Sequence, residues 1–194
     1  ISQDGTDAKD NHALIMKYRG VSMHPEVDMA IEDIVNESVV GGQEPIALKM
    51  ENLKVSDSIK NKIREEFDTV LNKMNFVELG HDIFRRWYID GRLYHHLVVD
   101  ETNQKQGILD IRPIDSARIR KVKQVKKKKD EATGASLVES VNDFYIYQEK
   151  PGGTNQGVKL SNDAVSYVTS GLLDIDRKRI VSHLHKALKP INQL

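Results

Sequence analysis

Arg86-Trp87-Tyr88-Ile89-Asp90-Gly91-Arg92-Leu93-Tyr94-His95-His96-Leu97-Val98-Val99-Asp100 is the stretch in which the hydrophobic period of the chain changes. On its N-terminal side Leu79, Ile83, Phe84 and Trp87 recur at helical spacing, predicting a helix over about Val77 to Tyr88. Asp90-Gly91 is a turn pair that closes it. Beyond the turn, Leu93, His95, Leu97 and Val99 alternate with their neighbours, the pattern of a half-buried strand in which this set faces one way. A chain that is helical before this point and stranded after it belongs to the α+β class.

Working back from Val77, the first 91 residues read as helical. Ala13, Leu14, Ile15 and Tyr18 mark a short helix over Asn11 to Arg19, ended near Gly20. Pro25 suits a first helical turn, acids follow it, and Val27, Ile31, Ile34, Val35 and Val39 form one face of a second helix, stopped by Gly41-Gly42. Ile46 to Met50 alternates like a brief strand. Ser56-Asp57 caps a third helix with the stripe Ile59, Ile63, Phe67, Val70, Leu71 and Met74.

Working forward, residues 92–170 read as a small antiparallel, barrel-like β-subdomain. Ile108 to Arg112 is the partner of the first strand, with Pro113 fitting only the strand's end. Arg118 to Val125, Phe144 to Gln148 and Ala164 to Thr169 are further strands. The four lysines Lys126 to Lys129 then fall at a loop tip, and Pro151-Gly152-Gly153 with Gly157 makes a flexible turn. Residues 171–194 are a linker leading into a helix with Pro190 in its first turn. The chain stops as the apolar register Ile191/Leu194 begins, and it starts on Ile1 without a signal-peptide pattern. Both ends read as those of a segment cut from a longer protein.

Composition narrows the function. With 39% hydrophobic and 30% charged residues the chain falls among globular proteins rather than disordered ones. Twenty-nine basic and twenty-nine acidic residues cancel, which argues against a general nucleic-acid binder. The absence of cysteine excludes disulfides, thiolate metal sites and a cysteine nucleophile, and a reducing compartment fits easily. No apolar run approaches the roughly 20 residues that span a bilayer.

The charge is unevenly placed. Arg118, Arg120, Lys121, Lys123, Lys126, Lys127, Lys128 and Lys129 form a run with no acid, a candidate contact for DNA phosphates or a protein partner. The same run also reads as a solvated hairpin whose lysines keep an edge strand from aggregating. His95, His96, His183 and His185 are the nearest thing to a metal cluster, but His-x-His on a helix does not share a face and ordinary structural histidines explain them. Gly152 to Lys159 imitates a phosphate loop and fails, because Val158 separates Gly157 from Lys159 and Leu160 replaces the Ser/Thr. Asp90-Gly91-Arg92 is explained by its turn. No active site, and no cofactor, is read from this chain.

Four phrases in order carry a resemblance: Asn11 to Arg19, His24 to Glu37, Arg86 to Arg92 and Leu184 to Leu194. Together they resemble the N-terminal part of portal proteins of large contractile-tailed phages of the T-even type, over nearly the whole chain. The resemblance implies a structural, non-enzymatic protein with no small-molecule substrate. Such proteins form a ring of twelve at one capsid vertex, assembled inside the infected bacterium, through which genomic double-stranded DNA is packaged and ejected. It further implies a helical wing subdomain beside a small β-subdomain, ending where a long stem helix begins. The implied partners are further copies, the terminase large subunit, the major capsid protein, scaffold and neck proteins. Leu184, Leu188, Ile191 and Leu194, on the helix the chain breaks off in, are candidate oligomer contacts left exposed. A nucleic-acid-binding module built on residues 118–129 is the alternative, and a metal-dependent hydrolase using the four histidines a distant third.

Overall fold

The computed structural model describes residues 5–39, 48–129, 136–149, 157–175, 179–191 and 193. The expected helix stop at Gly41-Gly42, the turn at Pro151-Gly152-Gly153 and Leu194 lie outside them. Four helices come first: α1 (Gly5–Val21), α2 (Pro25–Val39), α3 (Asp57–Lys73) and α4 (Phe76–Asp90). Pro25 opens α2, and Glu26 and Asp28 occupy its first turn, where the helix dipole favours negative charge. Ile31 and Val35, one turn apart, enter a core with Tyr18 of α1 and Ile89 of α4. Arg85 of α4 fastens the polar edge of α2, donating to Asp28 and, at 2.9 Å, to Glu32. Of the brief strand expected over Ile46 to Met50, residues 48–50 belong to no ladder, and Ile46 and Ala47 lie outside the described residues.

α3 departs from expectation in a different way. Its apolar stripe is present, but none of its residues is buried. Among the described residues it is held near its C-terminal end. There Lys73 Nζ donates to the carbonyls of Ile108 and Leu109 at 2.6 and 3.2 Å, and Asn75, with φ 49°, turns the chain into α4. Ser56 occupies the N-cap position with extended backbone, though its side chain makes no capping hydrogen bond.

The strands form two antiparallel three-stranded sheets. One runs β2 (Ile108–Ile114), β1 (Arg92–Val99), β6 (Val165–Thr169), and the other β3 (Ile119–Lys129), β4 (Ser136–Tyr147), β5 (Val158–Ser161). They share a core of Tyr94, Ile119, Tyr145 and Val165, with Tyr94 stacked on Tyr167 at 4.5 Å. Among the described residues no ladder joins the sheets into a closed barrel. β1 is covered on both faces near its start, so the alternate residues Tyr94 and His95 are both buried there. Tyr94 points into the space between the sheets, Leu93 and His95 turn toward α4, and Val99 is exposed. Pro113 lies inside β2 opposite His95, tolerated because β2 is an edge strand. β5 forms just after the expected turn, in residues for which no element was expected, since four residues carry too little periodicity to stand out.

The end of the chain is a strap across the junction of the two halves. Leu173 and Ile180 form a bridge, and Ser182 Oγ donates to the Tyr88 carbonyl at 3.1 Å and accepts from Leu184 N at 2.9 Å. A 3-10 turn, His183–Ala187, precedes α5 (Leu188–Ile191), of which Pro190 is the third residue. The expectation of an exposed Leu184 is corrected here. The 3-10 turn directs it inward, where it is 6% exposed against Tyr18, Ile31, Val35 and Ile89. Leu184→Ala should therefore lower the unfolding free energy by about 2–4 kcal/mol in a denaturant titration.

Candidate functional site

The densest polar constellation joins the helices to the sheets. Arg19, in the last turn of α1, meets Asp90 at the end of α4 in a two-pronged contact. Its Nε donates to Oδ1 at 3.0 Å, and a terminal nitrogen donates to Oδ2 at 2.7 Å. The same nitrogen donates at 2.6 Å to Asp115, in the turn between β2 and β3. Asp115 also accepts from the Ala117 N–H at 3.0 Å, and His12 of α1 bonds the Ala117 carbonyl at 3.1 Å. Asp90 is buried, which makes its guanidinium partner structurally necessary. Burial pushes the Asp115 carboxyl up, but the bonds from Arg19 and Ala117 outweigh it and hold the group below the usual carboxylate range. The two carboxylates in turn raise Arg19 further above its ordinary value.

A groove of about 680 Å³ opens beside this cluster, between α3–α4 and the first sheet. Met23, Met74, Leu79, Ile83, Leu93 and Ile111 supply its apolar walls. Its carboxylates are already matched by cations, Asp82 by Arg86 at 2.8 Å and Asp90 by Arg19. His95, which also lines it, has its pKa lowered by burial, which favours the neutral imidazole. Among the described residues the groove brings together no general base and nucleophile, which acid–base or covalent chemistry would need. It lies where α4 meets β1 and β2.

The four histidines go to separate places. Burial lowers the pKa of His183, which stacks on Tyr88 at 4.7 Å and leans on Trp87 at 5.1 Å. His185 Nδ1 bonds the hydroxyl of buried Tyr18 at 2.8 Å. Among the described residues no three of His, Asp or Glu converge on a point that would hold a metal.

From Arg120 to Lys129 the basic run is extended strand, with Arg118 in the turn before it, and this corrects the loop tip expected for the lysines. β3 continues to Lys129, with Lys126 opposite Ser140, Lys128 opposite Leu137 and Lys129 opposite Ser136, and an irregularity after Lys126. Alternate basic and apolar residues let the ladder run on, and the four lysines keep their backbone pairing. Arg118 lies 3.4 Å from Asp115, and Lys121 lies 3.3 Å from Asp143 and over the Tyr145 ring. Buried Arg120 Nε has no hydrogen-bond partner, while Lys123 is exposed. Because β3 is an edge strand among the described residues, its exposed Lys121 and Lys123 stand where they oppose edge-to-edge pairing. Of the proposed oligomer contacts, Leu188 and Ile191 are half-buried at the C-terminal turn, with Leu188 against the helical core.

Sequence reasoning missed the Arg19–Asp90–Asp115 cluster. Its members lie 71 and 96 positions apart, and each sits in an unremarkable local context. Asp90 was accounted for by its turn alone.

Comparison with known proteins places this architecture. The chain is 32% identical to the portal protein of Vibrio phage KVP40 over 93% of its length and 37% of the relative's. It is 29% identical to the portal protein of Salmonella phage ViI, over 93% of its length and 35% of the relative's. The chain thus spans little more than a third of the curated relatives it matches. The profile of the family described as bacteriophage T4-like portal protein (Gp20) matches residues 11–194, running through the helices, both sheets and the C-terminal strap. This chain belongs to the T4-like portal protein family.

Proposed function

We propose that this chain is a structural, non-enzymatic part of a phage portal vertex. Copies assemble into a ring, twelve by resemblance to the T-even type, set in the capsid shell of the virion. DNA enters and leaves through the ring, and the terminase large subunit, major capsid protein, scaffold and neck proteins attach around it. The observation that carries this reading is the family match over residues 11–194, which crosses every element of the fold. The ion-paired junction supports it, because a ring part must transmit load between its halves without bending. Within such a ring Leu188, Ile191 and Leu194 are the remaining apolar contacts of the C-terminal turn. Gold-labelled antibody against this chain should mark a single vertex of the phage heads that carry it. Label spread over the shell, or on the tail, would refute the reading.

A second reading is favoured by one observation, the eight cations of β3 and its preceding residue with no acid among them. On this reading Arg118, Arg120, Lys121, Lys123 and Lys126 to Lys129 touch packaged duplex DNA. The slope of log K against log salt would then be negative and would shrink by about 0.9 for each phosphate contact removed. Replacing Lys123 and Lys126 to Lys129 with glutamine should flatten that slope; an unchanged slope would exclude DNA contact by this strand.

A further inference from the structure

Nearly every polar side chain on the wall of the groove beside α4 is matched from within the chain. Arg19 holds Asp90 and Asp115, Arg86 holds Asp82, and Arg85 is taken by Asp28 and Glu32. Ser22 donates to the Arg19 carbonyl at 2.8 Å and Ser116 to the Arg92 carbonyl at 3.1 Å. His95 is the exception. It sits on β1 opposite Pro113, is 6% exposed, and lines the groove, yet neither ring nitrogen has a hydrogen-bond partner among the described residues. Buried polar groups are ordinarily paired, and a neutral imidazole offers one donor and one acceptor nitrogen. A ligand that displaces water from this groove keeps its affinity only by replacing the hydrogen bond to that ring.

The remaining wall sets the character of such a ligand. Met23, Met74, Leu79, Ile83, Leu93 and Ile111 are apolar, so its body is apolar. The three carboxylates and three guanidiniums of the wall are ion-paired, so no charge is left to match and the ligand is neutral. Thioethers such as those of Met23 and Met74 favour contact with aromatic rings, and guanidinium planes pack on them too. The chain already contains the polar half of this recognition. The hydroxyl of buried Tyr18 bonds His185 Nδ1 at 2.8 Å, a phenol on an imidazole. The volume of about 680 Å³ lies within the range of small-molecule sites.

We infer that the groove between α4 and the first sheet binds a neutral aromatic compound with one hydroxyl, a phenol. Its ring lies among the apolar side chains and its hydroxyl bonds the imidazole of His95. This site goes beyond the assembly role proposed above and does not depend on it.

The test is a titration of the nitrogen-15-labelled 194-residue chain with p-cresol, followed by amide chemical shifts. Toluene, which lacks the hydroxyl, is the comparison. The amides of Leu93, His95 and Ile111 should shift and saturate, with a dissociation constant for p-cresol on the order of 1 mM. His95→Leu should weaken p-cresol binding about tenfold and leave toluene binding as it was. Leu79→Trp, at a wall position 43% exposed, fills the groove from its open side and should weaken both compounds. Thermal melting shows that each variant folds, and Leu79→Trp carries the test of the site should His95→Leu fail to do so. Capped tyrosine, N-acetyltyrosinamide, distinguishes the source of the phenol. Its binding alongside p-cresol points to a tyrosine of a partner protein, and binding of p-cresol alone to a free compound.

No saturable p-cresol shift at the groove amides, or binding that Leu79→Trp leaves unchanged, overturns the site. A folded His95→Leu chain that binds p-cresol as well as wild type does overturns the hydrogen bond, and with it the ligand class.

Discussion

Gly91→Ala is expected to destabilise the chain by about 3 kcal/mol or more, from the left-handed backbone and the steric overlap together. Gly91 ends α4 with φ 70°, a conformation that disfavours any side chain. A Cβ there would stand 2.8 Å from the Ser182 Cα and 2.8 Å from the Val181 carbonyl. Both obstacles are backbone, so neither can rotate away. Relief requires the strap at 181–184 to lift, and that strap carries buried Ser182 and Leu184. Ser170 N also donates to the Gly91 carbonyl at 2.8 Å, so the end of β6 would shift with it. Trp87, the only tryptophan, leans on His183 of the strap and reports the change by fluorescence during urea unfolding. Gly20→Ala is the control. It lies within α1 with nothing near its missing Cβ, so the substitution should be neutral or stabilise by up to about 1 kcal/mol.

Arg19→Met should cost about 3 kcal/mol, because it leaves Asp90 as a buried carboxylate without its cation. The acid limb of the stability curve should change too. The folded-state pKa of Asp115 lies below its unfolded value, so the folded chain binds this proton less readily than the unfolded chain does. Its stabilising contribution is complete above about pH 4, the ordinary carboxylate value, and is lost as pH falls through the lower folded value. Removing Arg19 takes away the largest of the effects that depress it, so the variant should lose less stability than wild type on acidification below that pH. Equal slopes in the two proteins would show that the cluster is not coupled to protonation of Asp115. The double variant with Asp90→Asn should recover part of the loss, since no buried charge then remains unpaired.

Much of the helical half was legible because local rules and tertiary packing agree there. Pro25, the acids after it and the Ile31/Val35 spacing each mark α2, and the structure buries those two side chains. Gly91 was readable as a helix stop, although its role as a packing surface for the strap depends on residues 90 positions away. What remained hidden depends on which elements meet. α3 displays a regular stripe, yet periodicity alone does not tell whether a helix is covered by its own chain or by another. The alternation along β1 did not show that its other face is covered as well, so that Tyr94 and His95 are both buried. The tyrosine cluster of Tyr94, Tyr145 and Tyr167 is drawn from three strands in two sheets. The lysine run looked like a loop because charge suggested solvent, whereas ladder pairing is compatible with an exposed edge. Leu184 was expected on an emerging helix and instead closes the helical core through a 3-10 turn.

The most direct test of the portal reading is the number of copies of this chain in each virion of the phage that encodes it. Isotope-labelled peptides from residues 5–39 and 157–175, measured against the shell protein, give that ratio. The account predicts a single ring's worth, about twelve copies per particle by resemblance to the T-even type. Hundreds of copies would make it a shell component, and absence from purified virions would contradict a portal role.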